Sequence, residues 1–302
     1  MDARITKQRL ANMLSYDWLK IIGAIALAAV VFCVFFMMIA TRATAGQTFY
    51  VYAYSGLAEG AEFSRLGDDL KARNVFAYDI LDTGSETFSK NGYGNSVFMA
   101  RRSTGEGRVM FVDDVRTESE DGKVSSTLLS FIEGEGTEQE NFSIFLDPQA
   151  FLNDCENYLK NFFGEDLSEE LNTEKARSAF MARNGKDKRY RTSAKKEAGV
   201  LQESERLKKL KDDFLAVKEA VRGSLLSYVT YTGYGDKTYT LGLSMRQINK
   251  ITSLVYYTAE EDGKKVQKKD DLVLCLFDNG TREGDLKYET VNFLAYLLRT
   301  YK

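Results

Sequence analysis

The chain has 302 residues, with 41 lysines and arginines against 44 aspartates and glutamates, no histidine and a net charge of −3. The lack of histidine excludes serine–histidine and cysteine–histidine nucleophilic catalysis and most zinc sites. A hydrophobic share of 44% and an aromatic share of 12% supply a core, and the acidic balance argues against general nucleic-acid binding.

Residues 21–40 (IIGAIALAAVVFCVFFMMIA) contain no charged side chain and lie between Lys20 and Arg42. As a helix this run is about 30 Å long, the thickness of a bilayer's hydrocarbon core, and its backbone hydrogen bonds close internally. It predicts a transmembrane helix over 21–41. Arg4, Lys7, Arg9 and Lys20 precede it and only Arg42 follows closely, so the positive-inside rule places residues 1–20 in the cytoplasm and 46–302 outside. Tyr16 and Trp18 sit where interfacial aromatic anchors are expected. Ala43-Thr44-Ala45 before Gly46 resembles a signal-peptide cleavage site. The apolar run is nevertheless longer than the usual core of about 7–15 residues, and Arg42 interrupts the cleavage region, so the reading is an uncleaved anchor. Five bases and two acids give residues 1–42 a net of +3, leaving −6 on the remainder.

After the anchor, residues 48–54 (TFYVYAY) predict a buried strand and 62–73 a helix with Phe63, Leu66 and Leu70 inward. A second strand is expected at 75–81 (VFAYDIL), closed by Asp82-Thr83-Gly84-Ser85, then a helix over 95–103 and a third strand over 108–112 ending at Asp113-Asp114. This alternation predicts a parallel sheet. Asp147-Pro148 reads as an N-cap followed by the first residue of a helix that stops at Gly164. Residues 165–199 read as a charged connector, and Leu207, Leu210, Phe214, Val217, Val221 and Leu225 mark the core stripe of a helix over 204–226. Strands are expected at 228–234, 237–243, 254–258 and 272–277, a helix start at 244–250, and a final helix at 288–301.

Two charge concentrations stand out. Residues 117–140 hold seven acids and one lysine; Arg183, Lys186, Lys188, Arg189, Arg191, Lys195 and Lys196 face Asp187 alone. The basic run reads either as a patch for anionic lipid or wall polymer or as a solvated connector. Cys155 and Cys275 are the only cysteines outside the apolar run; separate buried thiols are expected rather than a disulfide. Gly92-Tyr93-Gly94, Gly105-Glu106-Gly107 and Gly134-Glu135-Gly136 lack the remainder of a nucleotide fingerprint and read as turns. Asp278-Asn279-Gly280 is a turn too, because Leu274 and Leu276 stand where a calcium loop needs oxygen ligands.

Ligands of parallel α/β sheets bind beyond the carboxyl ends of the strands. The predicted ends nominate Tyr54, Ser55, Thr83, Ser85, Asp113 and Asp114 as ligand-binding residues, with Tyr54 as a stacking surface. Helix capping by Ser55, Ser85 or Asp113 is the competing reading, and adjacent Asp113 and Asp114 point apart in an extended chain, which disfavours shared catalysis.

The order FYVYAYSG, VFAYDILDTGS, STGEGRVMFVDD resembles the first lobe of a type 2 extracytoplasmic solute-binding protein, the binding component of ABC importers. The likeness covers about 48–114, with YTLGLS and LVLCLFDNG as pieces of a second lobe. The chain is also similar to a group of uncharacterised single-pass proteins of Gram-positive anaerobes whose starts are similar to RLANMLSYDWLKII. The resemblance implies α/β lobes closing on a small polar solute and a partner permease. The expectation is therefore an N-terminal transmembrane helix followed by a mixed, largely parallel α/β domain of one lobe or two. It would serve a transporter as a non-catalytic binding protein, with no cofactor, no metal and no nucleic acid. The alternatives are a non-ligand-binding accessory or sensory subunit of a membrane complex, and a surface hydrolase using two carboxylates.

Overall fold

The computed structural model describes residues 7–39, 43–54, 56–76, 78–88, 93–120, 124–131, 145–232, 238–277 and 286–302. Two compact units result, Met1–Arg42 and Ala43–Lys302. The first is one helix, α1 (Lys7–Ile39). Its stretch Trp18–Phe36, of mean hydropathy 2.6, is long and apolar enough to cross a membrane, and Leu27, Phe32 and Phe36 on it are exposed.

The second unit is mixed α/β. In chain order it begins β1 (Thr48–Tyr54), β2 (Ala58–Glu59), α2 (Leu66–Ala72), β3 (Asp82–Phe88), α3 (Tyr93–Thr104) and β4 (Val109–Asp113). Short elements follow: β5 (Thr117–Glu118), β6 (Val124–Ser125), α4 (Thr127–Ser130) and β7 (Phe145–Leu146). Three helices come next, α5 (Pro148–Phe163), α6 (Thr173–Asn184) and α7 (Ser193–Arg222). The chain ends with β8 (Ser227–Thr232), β9 (Thr238–Ser244), β10 (Val255–Glu261), β11 (Lys264–Lys268), β12 (Leu272–Phe277) and α8 (Glu289–Tyr301).

The central sheet runs β3-β1-β4-β12-β9-β8, with β7 also on β12; β11-β10-β2 form a smaller sheet. Among the described residues only β3, β1 and β4 run parallel, and β12 joins β4 antiparallel. The largely parallel sheet expected from the sequence is thus a mixed one. A strand buried on both faces, as LVLCLF is, reads alike in either direction, so its apolar run does not reveal its polarity. Strands β9 and β12, assigned by the resemblance to a second lobe, belong to the same sheet as β1 and β4.

Alternation builds two cores. Phe49, Val51 and Ala53 of β1 share one core with Leu274 and Leu276, covered by Leu70 of α2, Cys155 and Leu159 of α5, Leu210 and Phe214 of α7, and Phe293 of α8. Tyr52, Met110, Val273, Cys275 and Phe277 form the other core with Leu128 and Leu129. Cys155 and Cys275 therefore lie in different cores as free buried thiols, and burial raises the pKa of both well above the ordinary thiol range. Every described residue of both cores lies after Ala43, so the second unit builds its hydrophobic interior from its own residues.

Asp147 caps α5 as expected, accepting from the backbone N–H of Gln149 and Ala150, and Gly164 ends it at φ 78°. Among the described residues of 75–81 none forms the predicted strand. The strand begins at Asp82, paired with Thr48, and Val75 is buried within the irregular stretch that precedes it. Gly67 allows α2 to lie against β3: an added Cβ would come 2.7 Å from the Thr83 carbonyl oxygen. The charged connector is also ordered, because α6 and the first two turns of α7 occupy more than half of it.

Candidate functional site

Tyr54 ends β1 and Asp113 ends β4, as the sequence predicts, and β1 and β4 are neighbours. Thr127 donates its hydroxyl to Asp113 at 2.8 Å. Asp114 accepts from Ser126 Oγ at 2.6 Å and from Arg116 Nε at 2.9 Å. Burial raises the Asp113 carboxyl pKa against the lowering effect of the Thr127 bond. The Tyr54 hydroxyl is raised by burial and then by the Asp113 charge, and its ring meets Phe131 edge-on with centroids 5.2 Å apart. Ser55 lies outside the described residues, as do 132–144 and the 278–285 segment with Asp278-Asn279-Gly280.

Thr83 and Ser85 do not join this group. Thr83 lies near the amino end of β3 and Ser85 at its middle, whereas Tyr54 pairs with Phe88 at its carboxyl end. Their hydroxyls donate to the carbonyls of Gly67 at 2.7 Å and Phe63 at 2.5 Å, fastening β3 to the helical segment before it. The reason is the displaced strand: with β3 starting at Asp82, the hydroxyls that were to crown a strand end become its first turns of ladder.

A cleft of about 400 Å³ opens elsewhere, between residues 70–83 and α7. Leu70, Phe76 and Ile80 supply its apolar lining, and Lys71, Asn74, Gln202, Glu205 and Lys209 are among its polar groups. Asn74 holds a left-handed backbone at φ 48°. Lys71 contacts Asp82 at 3.4 Å, and Lys209 donates to buried Asp213 at 2.6 Å.

Beside the cleft runs a buried ion network. Arg183 pairs with Asp79 and Glu203, and Tyr78 donates to Glu203 at 2.7 Å. Arg206 bridges Glu203 at 2.9 Å and Glu289 at 2.7 Å and reaches the Tyr158 hydroxyl at 3.2 Å. Asn292 donates to Glu289 at 2.6 Å. Asp79, Glu203, Arg206 and Glu289 are buried. The ions tie the 78–79 segment to α6, α7 and α8 and fix one wall of the cleft.

Sequence reasoning missed both features, although a signal was present. Glu203 and Arg206 fall on the backward continuation of the Leu207–Leu210 stripe, where charges on a core face imply buried pairing. Asp79 within an otherwise apolar run carries the same message.

No family model, curated protein or solved structure matches the chain.

Proposed function

We propose that the chain is a membrane-anchored extracytoplasmic binding protein whose α/β domain holds a small polar solute without transforming it and serves a transporter. The observation that carries this reading is the cleft beside α7. Its volume of about 400 Å³ lies within the ordinary range of small-molecule sites, which combine an apolar lining with a few polar groups. The lining favours a solute with an apolar body and a polar or zwitterionic edge, since lysine, acid and amide groups all border it. Recognition at this place supersedes the strand-end reading, because the carboxylates of Asp113 and Asp114 already bond Thr127, Ser126 and Arg116. The anchor reading rests on the apolar helix and on the cationic bias before it.

Thermal melts of residues 43–302 against sugars, amino acids, short peptides and metal ions test the proposal. A ligand at a hundred times its dissociation constant adds about 2.7 kcal/mol, which moves the melting temperature by several degrees. Gln202→Trp, placed at the cleft, should abolish that shift while the domain stays folded. A flat panel on a cooperatively folding domain favours the second reading, an accessory or sensory subunit of a membrane complex. That reading draws on the single central sheet, which takes in the strands expected to form a separate closing lobe.

A further inference from the structure

The turn between α6 and α7 concentrates cations in a way its own fold does not compensate. Lys186, Lys188, Arg191 and Lys195 are exposed and Lys196 is half-buried. None of the five makes an ion pair among the described residues, and the neighbouring acids are engaged: Asp187 with Arg189 and Glu197 with Arg177. Lys195 and Lys196 also stand in the first turn of a 30-residue helix that has no acid there. That end carries the positive pole of the helix dipole, where cations are unfavourable. An anion would relieve both the mutual repulsion and the conflict with the dipole.

The turn is held rather than loose. Arg183 and Arg189, which flank Lys186 and Lys188, both pair with buried Asp79. Tyr190 packs edge-on against Phe180 with centroids 4.9 Å apart, and Gly199 permits this approach, since a Cβ there would come 2.2 Å from the Phe180 ring. Two of the basic run's seven cations are thus spent on the interior, and the others are displayed on a fixed support. The α6–α7 pair also exposes Met181 and Leu201. Cations together with exposed apolar side chains are the composition of elements that lie on a lipid surface, and a soluble polyanion would have no use for the apolar ones.

We infer that the turn from Lys186 to Lys196 docks the domain on an anionic phospholipid surface, its cations meeting headgroup phosphates. The candidate membrane-spanning helix of the same chain places the domain where such headgroups are abundant. This inference is independent of what occupies the cleft.

Co-sedimentation of residues 43–302 with vesicles tests it, comparing phosphatidylcholine alone with a 7:3 mixture of phosphatidylcholine and phosphatidylglycerol. Binding to the mixed vesicles alone, weakened by salt, is expected. The triple variant Lys186→Gln/Lys188→Gln/Arg191→Gln should lower the partition coefficient by about a hundredfold, from the usual worth of a basic residue at an anionic surface. Lys264→Gln/Lys265→Gln, on the β10–β11 hairpin, should leave it unchanged. Both variants spare the buried network, so an unchanged melting curve confirms that each is folded. The inference is overturned if the folded domain ignores the mixed vesicles or if the triple variant binds them equally well. Binding to soluble polyphosphate without vesicle binding would also overturn it, and would give the turn to a soluble polyanion.

Discussion

Arg206 is the residue on which the interior charge balance of the domain turns. Its guanidinium is nearly wholly buried and contacts two buried carboxylates, Glu203 and Glu289. Replacing it by methionine keeps the volume roughly but takes a cation from both acids. Glu203 keeps Arg183 and Tyr78 and Glu289 keeps Asn292, so the cost should fall at the lower end of the about 3–5 kcal/mol typical of a broken buried pair. Denaturant unfolding of Arg206→Met should show a loss of that size; a loss under about 1 kcal/mol would mean that Arg183, Tyr78 and Asn292 suffice to hold the two acids. Asp113 makes a prediction of opposite sign. Its folded pKa is raised by burial, so the neutral carboxyl is the form the fold prefers. That contribution is complete below the unfolded value near about 4 and is lost as pH rises through the higher folded value. Asp113→Asn cannot ionise and should melt higher than the parent at pH 7. The gap should close as pH falls to the acid side of the carboxylate range. A gap that persists at pH 3 would assign the gain to packing instead.

The helices and strands divide by how their ends are specified. The limits of β1, α5 and β12 were legible because local chemistry in the sequence marks them: polar residues directly after each strand, the Asp147-Pro148 start and the Gly164 stop of α5. Residues 75–81 misled because their apolar composition reports burial, and here burial comes without a ladder; Asp79 is satisfied by arginines more than a hundred positions away. Strand β3 escaped notice for the complementary reason, since DTGSETF is polar and only its last side chain is fully buried. The start of α7 is set by Thr192, whose hydroxyl accepts from the Lys195 N–H at 3.3 Å, eleven residues before the predicted start. Its first turn carries cations against the dipole, so Lys195→Glu should stabilise the domain by about 0.5–1 kcal/mol, and Thr192→Ala should cost about 1 kcal/mol. Differential melting of the two variants checks this; a destabilising Lys195→Glu would show that the lysine has a structural contact worth more than the dipole.

At the scale of the whole chain, the candidate site was half legible. Tyr54 and Asp113 were legible as strand ends and the pairing of β1 with β4 brings those ends together, whereas the cleft is assembled from an irregular segment and one helix face that no local pattern links. The division of the chain is more firmly marked, because hydropathy changes abruptly after residue 40 and both cores are built from later residues. A unit whose described core residues all come from its own segment should fold without the helix that precedes it. We expect residues 43–302 to be soluble, helped by their net charge of −6, and to unfold in one cooperative transition. Their melting temperature should lie within about 2 °C of that of the full chain in neutral detergent, since a change of 1 kcal/mol already moves a domain of this size by about 2–4 °C. A larger drop, or a second transition that appears only after truncation, would mean that the apolar helix stabilises the domain by contact.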